Sequence, residues 1–348
     1  MNTLATLTLG SSLLLGTLIT VSSSHWFYAW LGLEINTLAI LPLLAGPQHA
    51  RAIEATTKYF LSQATASATI LFAAITNAWL TGQWDILQMT HPVPATMLTA
   101  ALALKIGLAP LHTWVPEVLQ GLDLNTGLIV ATWQKLAPFT LILQTHQSNS
   151  PLLISLGLIS ILVGGWAGLN QTQLRKILAY SSVAHLGWAI LIVQFSPRLA
   201  TIAFITYLAM TFSTFLLFKQ ANSTSINSLA TSWTTSPMLA AIAPLILLSL
   251  AGLPPLTGFM PKWLILQELI KQDLGFTATL AAMAALLSLY FYLRLSYAMT
   301  LTISPNTLQS IAPWRLRSLT LSLPLAISTC AVVLLLPLTP SLLALLPI

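Results

Sequence analysis

Charge is what this chain has least of. Of its 348 residues, 13 are Lys or Arg and 7 are Asp or Glu, 6% in all, where a soluble domain carries roughly 25%. With 56% hydrophobic residues and a mean hydropathy of +0.84, a water-soluble fold could not cover its own apolar surface, so the solvent is the lipid bilayer. A single cysteine, Cys330, excludes a disulfide framework, a cysteine-ligated zinc site and a cysteine-held iron–sulfur cluster. The six histidines are scattered, with neither H-x-x-x-H nor C-x-x-C-H spacing, so no electron cofactor and no metal site are expected in this chain. Rossmann and P-loop glycine patterns are missing too, which argues against nucleotide binding. No basic run exceeds two residues, so the net charge of +6 reads as loop charge and not as a nucleic-acid footprint. Met1 to Leu18 is apolar without a basic leader or an Arg-rich transit pattern. It reads as a first span, and the chain as one made inside its organelle.

Apolar runs of spanning length fill the rest. They fall at 3–21, 25–44, 58–80, 94–121, 124–145, 150–170, 174–195, 198–221, 237–272, 276–300 and 320–340. The expected fold is therefore an all-α polytopic membrane protein of about 11 transmembrane helices. Prolines mark several connections, at Pro151, Pro197, Pro305 and Pro313. If the N-terminus lies on side A, Arg51, Lys58, Arg175, Lys176, Lys219, Arg315 and Arg317 also lie there, and only Arg198 and Lys271 lie on side B. By the positive-inside rule side A is the matrix or cytoplasm, and the C-terminus faces the other way.

Two stretches align without a gap: Gly107 to Leu119 on Gly252 to Leu264, with six of 13 positions identical. Both copies carry prolines inside a long apolar run. Proline removes a backbone donor and clashes with the preceding turn, so both helices should be broken partway across. The two spans are five crossings apart and so run in opposite directions. That predicts an inverted repeat of two five-helix units, 1–145 with its broken helix at 94–121 and 150–300 with its broken helix at 237–272. Residues 301–348 remain as a loop and a C-terminal helix. The fit is imperfect: Lys135 has no basic partner at the matching place, where Arg294 sits nearer a span end and is expected to snorkel.

Six titratable groups lie away from the span ends: Glu34, Lys105, His112, Lys135, His185 and Lys262. An ionised Lys or Glu at mid-membrane costs about 2.5–3.5 kcal/mol on insertion scales. Such groups persist by pairing, by facing water inside the bundle, or by changing protonation state. A buried pair such as Glu34 with Lys105 can be helix glue or a proton site. Lys135 and Lys262 have no acid at the same depth, and Trp133 and Trp263 beside them can be simple packing. His112 and His185 can be core hydrogen-bonders or proton carriers. Glu117, Asp123 and Glu268 lie toward span ends, where water can reach them.

Four motifs then stand in order. They are Trp30-Leu31-Gly32-Leu33-Glu34-Ile35-Asn36, the run from Leu104 through Lys105 and His112 to Glu117, the run from Leu174 through Tyr180-Ser181-Ser182 to His185-Leu186-Gly187, and Gly252 to Phe259. Together they resemble the proton-translocating antiporter-like subunits of respiratory complex I, over nearly the whole chain. The resemblance implies a membrane-arm subunit in the mitochondrial inner membrane, coupling NADH oxidation by ubiquinone elsewhere in the complex to proton translocation. It implies Glu34 and Lys105 as a charge pair at the broken helix, Lys135 as a central lysine, His185 as a continuation of the polar axis and Lys262 as a terminal lysine. His112 and Glu117 stand as secondary candidates. The wider family has fourteen core spans, and the three lacking here are N-terminal, as in its animal mitochondrial branch. The bare flank implies neighbouring complex I subunits as partners, other antiporter-like subunits among them. A stand-alone cation/proton antiporter and a non-pumping assembly subunit are the rival readings.

Overall fold

The computed structural model describes residues 3–145, 150–235, 237–301 and 322–345. Arg315 and Arg317, and the connections at Pro305 and Pro313, lie outside the described residues. The regular elements among the described residues are helices. Eight helical stretches are long and apolar enough to cross a membrane, and three shorter apolar helices join them. The protein is a polytopic helical membrane protein. It falls into two compact units, Met1–Gly157 and Leu158–Ile348.

In the first unit α1 (Thr3–Ser22) lies against α2 (Trp26–Leu44). Lipid tails are as apolar as leucine, so helices in a membrane associate through close packing and polar bonds. Gly16 and Gly32 provide the first: a β-carbon on either would sit 2.9 or 2.8 Å from the other's carbonyl oxygen. Asn36 provides the second, its amide donating to the Leu13 carbonyl at 2.8 Å and accepting from the Thr17 N–H at 3.3 Å. Next comes α3 (Ala50–Thr81), of 32 residues. At 1.5 Å per residue it is about 48 Å long, more than the ~30 Å hydrocarbon core. The apolar run is expected to start at residue 58, but the helix continues back to Ala50. There Lys58 pairs with Glu54 one turn earlier at 2.7 Å, an (i, i+4) pair that supports a helix in water.

The next apolar run is broken into α4 (Pro92–Ile106) and α5 (Trp114–Gly121). The run 124–145 is also interrupted. It consists of α6 (Leu124–Ala131), a 3₁₀ turn at Trp133–Lys135 and α7 (Leu136–Thr145). Pro138 lies in the first turn of α7; without an N–H it cannot donate to the Gln134 carbonyl one turn back, and its ring crowds that carbonyl, which accounts for the local change of pitch.

After α8 (Ser150–Gly168), the second unit is organised on α9 (Leu174–Val193), which is buried along almost its full length. Both α10 (Pro197–Gln220) and α14 (Phe259–Lys271) pack on it. Two short helices, α11 (Ile226–Ala230) and α12 (Ser232–Thr235), lead to α13 (Pro237–Ala251), which is separated from α14 by a second break. The unit closes with α15 (Gly275–Thr300), α16 (Ser322–Leu334) and α17 (Thr339–Leu345).

Candidate functional site

The two breaks are built alike. At the first, Gly107 takes φ +85°, and both its N–H and that of Leu108 return to the Ala103 carbonyl at 2.9 Å. At the second, Gly252 takes φ +81°, and its N–H and that of Leu253 return to the Leu248 carbonyl at 3.2 Å. This is the left-handed region that glycine enters without strain. Each break also holds a cis X–Pro bond, at Ala109–Pro110 and at Pro254–Pro255.

Breaking a helix frees carbonyls that must find other donors. The Leu104 carbonyl accepts from Trp114 Nε1 at 2.9 Å, and the Lys105 carbonyl from Gln63 Nε2 at 3.5 Å. In the second break the Ala251 carbonyl accepts from Lys262 Nζ at 2.8 Å. Lys262 thus caps the helix end that precedes it, and its stem lies within about 3 Å of where a Gly252 β-carbon would be. His112 lies between α4 and α5, half-buried. Its counterpart Thr257 is buried and donates to the Val332 carbonyl of α16.

In the first unit Lys105 ends α4 at only 4% exposure, and its Nζ has no hydrogen-bond partner among the described residues. Glu34 on α2 is the carboxylate whose charge reaches it, but the two make no direct ion pair. Glu34 instead accepts from Thr37 Oγ1, at Oε2 (3.3 Å) and at its own carbonyl (2.9 Å). Lys135 lies in the 3₁₀ turn at 2% exposure. That turn packs against α4, and Gln134 Nε2 beside it donates to the Asn36 carbonyl on α2 at 3.5 Å. The elements carrying Glu34, Lys105 and Lys135 therefore meet in one unit. Glu117 does not join them. Its Oε2 is 2.8 Å from Lys58 Nζ, and both side chains are about half exposed.

In the second unit His185 is buried on α9, with Nε2 3.4 Å from the Tyr292 hydroxyl. His185, Thr206 and Lys262 line a small cavity of about 10 Å³, near the size that holds one water. The hydroxyls around the histidine were not anticipated. Tyr207 lies 6.1 Å from its ring and bonds Ser182, and Tyr292 bonds Ser181. Ser181 and Ser182, one helical turn before His185, were the available signal. Among the described residues no three of His, Cys, Asp and Glu are grouped as a metal site.

Comparison with known proteins gives concordant matches. The family described as "NADH:quinone oxidoreductase/Mrp antiporter, TM" matches residues 23–288, and "NADH dehydrogenase subunit 2 C-terminus" matches residues 289–343. NADH-ubiquinone oxidoreductase chain 2 of Tetraodon nigroviridis is 66% identical over 96% of both chains, and that of Salmo salar 66% over 95% of both. Among solved structures, a chain of respiratory complex I from Thermus thermophilus superposes with a TM-score of 0.86 at 26% identity. It covers 98% of this chain and 79% of its own. A chain of the Mrp complex from Dietzia sp. shares the fold, with a TM-score of 0.82 at 17% identity, over 94% of this chain and 74% of its own.

Proposed function

The chain belongs to the NADH:quinone oxidoreductase/Mrp antiporter family, in its NADH dehydrogenase subunit 2 branch, and on that premise we propose that it is a proton-carrying membrane-arm subunit of respiratory complex I. It is a multi-pass protein of the mitochondrial inner membrane. Other subunits oxidise NADH and reduce ubiquinone, and this one couples that reaction to proton translocation. Its partners are the other membrane-arm subunits. The chain itself holds no redox centre.

The eight long helical stretches, the two pairs joined across breaks and α16 count as eleven crossings. The first five and the next five form an inverted repeat, 1–145 and 150–300, followed by the segment 301–348. The shared motif and the like construction of the two breaks support this reading. The N-terminus faces the matrix and the C-terminus the intermembrane side, as the bias of basic residues requires.

Glu34, Lys105, Lys135, His185 and Lys262 form the relay. The observation that carries it is the Lys105 amine, buried yet without an acceptor among the described residues. A permanently charged ammonium in that setting would be costly, so the group exchanges its proton with water. Movement of Glu34 toward or away from Lys105 changes the charge that Lys105 meets, and the coupled pair passes a proton to Lys135. In the second unit one water joins His185 to Lys262. Removing a relay group should slow proton transfer through this subunit by about 10²–10⁴-fold. The test is the number of protons moved per NADH in reconstituted complex bearing Lys135→Ala or Glu34→Gln. An unchanged ratio refutes the relay.

A further inference from the structure

A second cavity, of about 640 Å³, opens between α14 and α15, and shares Lys262 and Trp188 with the small cavity at His185. One wall is a single face of α14, repeating every three or four residues from Phe259 through Lys262 and Leu266 to Ile270. The other is a face of α15 with the same spacing, Ala282, Ala285 and Leu289. Facing stripes of this kind normally interdigitate. Here two alanines oppose the bulky side, so the ridge has nothing to fill the groove. The lining is mostly apolar; Lys262 is its one cation, and Gln267 and the indoles of Trp188 and Trp263 are its other polar side chains. Lys262 as a residue is partly buried, and among the described residues its one hydrogen bond is to the Ala251 carbonyl, so once protonated the amine has two of its three N–H directions left for another acceptor.

We infer that this cavity binds a long-chain monocarboxylic acid, with its carboxylate on Lys262 and its chain lying between α14 and α15 toward Ile270. Charge complementarity sets the head: one ammonium in an apolar slot suits one anionic oxygen pair. The position of Lys262 sets the class. It lies in the first turn after a mid-span break, and Ile270 is eight residues, or about 12 Å, further along the helix. A membrane phospholipid keeps its charged head at the interface and cannot place it there. A carboxylic acid can, because it enters oil neutral and gives its proton to the neutral Lys262 amine, leaving carboxylate against the ammonium so formed. The binding claim does not depend on the relay. The further consequence that occupancy holds Lys262 protonated and slows pumping rests on the function proposed above.

The test uses intact complex in inner-membrane vesicles and a C16 carboxylic acid bearing a chain diazirine. On illumination it should label peptides within 259–271 and 282–289 at least about tenfold more than its methyl ester or the equivalent long-chain amine. Lys262→Met and the cavity-filling Ala285→Phe should each abolish the label; if Ala285→Phe does not assemble, Ala282→Leu replaces it. Equal labelling by acid, ester and amine would overturn the proposal by showing an unspecific lipid groove. Labelling of a neighbouring subunit in place of these helices would also overturn it, because the cavity would then be an intersubunit contact. Specific labelling with pumping unslowed would leave the site standing and sink the relay.

Discussion

Three lysines show how surroundings decide what an amine can do. Lys58 lies against two carboxylates, at 2.7 and 2.8 Å, with its side chain 42% exposed. An exposed network of that kind adds little stability and has no reason to release a proton. Lys262 holds a helix end through one carbonyl. Lys105 is the most demanding of the three, since among the described residues its charge is offset by Glu34 at a distance and by no hydrogen-bond acceptor. If Lys105 were helix glue, removing it would loosen the bundle. If it exists to move protons, an apolar side chain of similar length should fit as well or better, because a buried charge contributes little net stability. Lys105→Met is accordingly expected to assemble, with a melting transition within about 1 kcal/mol of the parent, while proton pumping by the reconstituted complex collapses. Loss of assembly alongside loss of pumping would favour glue. Trp114→Phe makes the opposite prediction. The indole N–H is the donor that satisfies the freed Leu104 carbonyl, so its loss should cost about 1–3 kcal/mol. Thermal denaturation of the purified complex should show that loss, with pumping per NADH preserved.

The breaks carry the groups of the proposed relay, and their legibility in the sequence was uneven. The two Gly-Pro breaks could be read in advance because glycine and proline act locally, whatever the rest of the fold does. Gly107 stands on two requirements at once: a positive φ, and the Val115 side chain 2.3 Å from where a β-carbon would be. Gly107→Ala should therefore destabilise the subunit by at least about 1–2 kcal/mol, measured as an earlier loss of this chain from the complex in mild denaturant. The 3₁₀ turn at Lys135 was missed. Its cause, Pro138, was visible well inside the expected span 124–145, but a proline without a neighbouring glycine is commonly tolerated in a membrane helix. If Pro138 sets the pitch there, Pro138→Ala should restore an α-helical bond to the Gln134 carbonyl and turn Lys135 away from α4. The expected outcome is near-normal assembly with pumping reduced; unimpaired pumping would show that the turn has another cause. Tyr207 and Tyr292 were invisible for a different reason. A tyrosine in an apolar helix reads as packing, and only the fold brings the α10 and α15 hydroxyls to His185 on α9. The deep charges, by contrast, were legible one residue at a time because lipid makes each of them conspicuous. Their grouping by unit was not.

At the scale of the whole molecule the remaining question is which way the chain faces. Five of the seven basic residues assigned to side A lie among the described residues, and they sit near helix ends: Arg51 and Lys58 at the start of α3, Arg175 and Lys176 at the start of α9, and Lys219 at the end of α10. Arg198 begins α10 and Lys271 ends α14, the two assigned to side B. Orientation follows from such charges because a cation crosses the bilayer only at high cost, and the electrically negative side retains it. The sign could be reversed only if all five moved together, since the spans between them fix their relation. A connection of each set is exposed and narrow enough to probe. Gly46 to His49 joins α2 to α3, and Gly82 to His91 joins α3 to α4. With the native cysteine replaced by serine, a cysteine at Gln48 should react with a membrane-impermeant maleimide only in inner-membrane vesicles turned matrix-side out. One at Gln83 should react only in mitoplasts, where the intermembrane face is outermost. The reverse pattern would invert the proposed orientation. Labelling of both positions from one side would be more damaging. It would mean that α3, 32 residues long, does not cross the bilayer, and the crossing count on which the inverted repeat depends would fail with it.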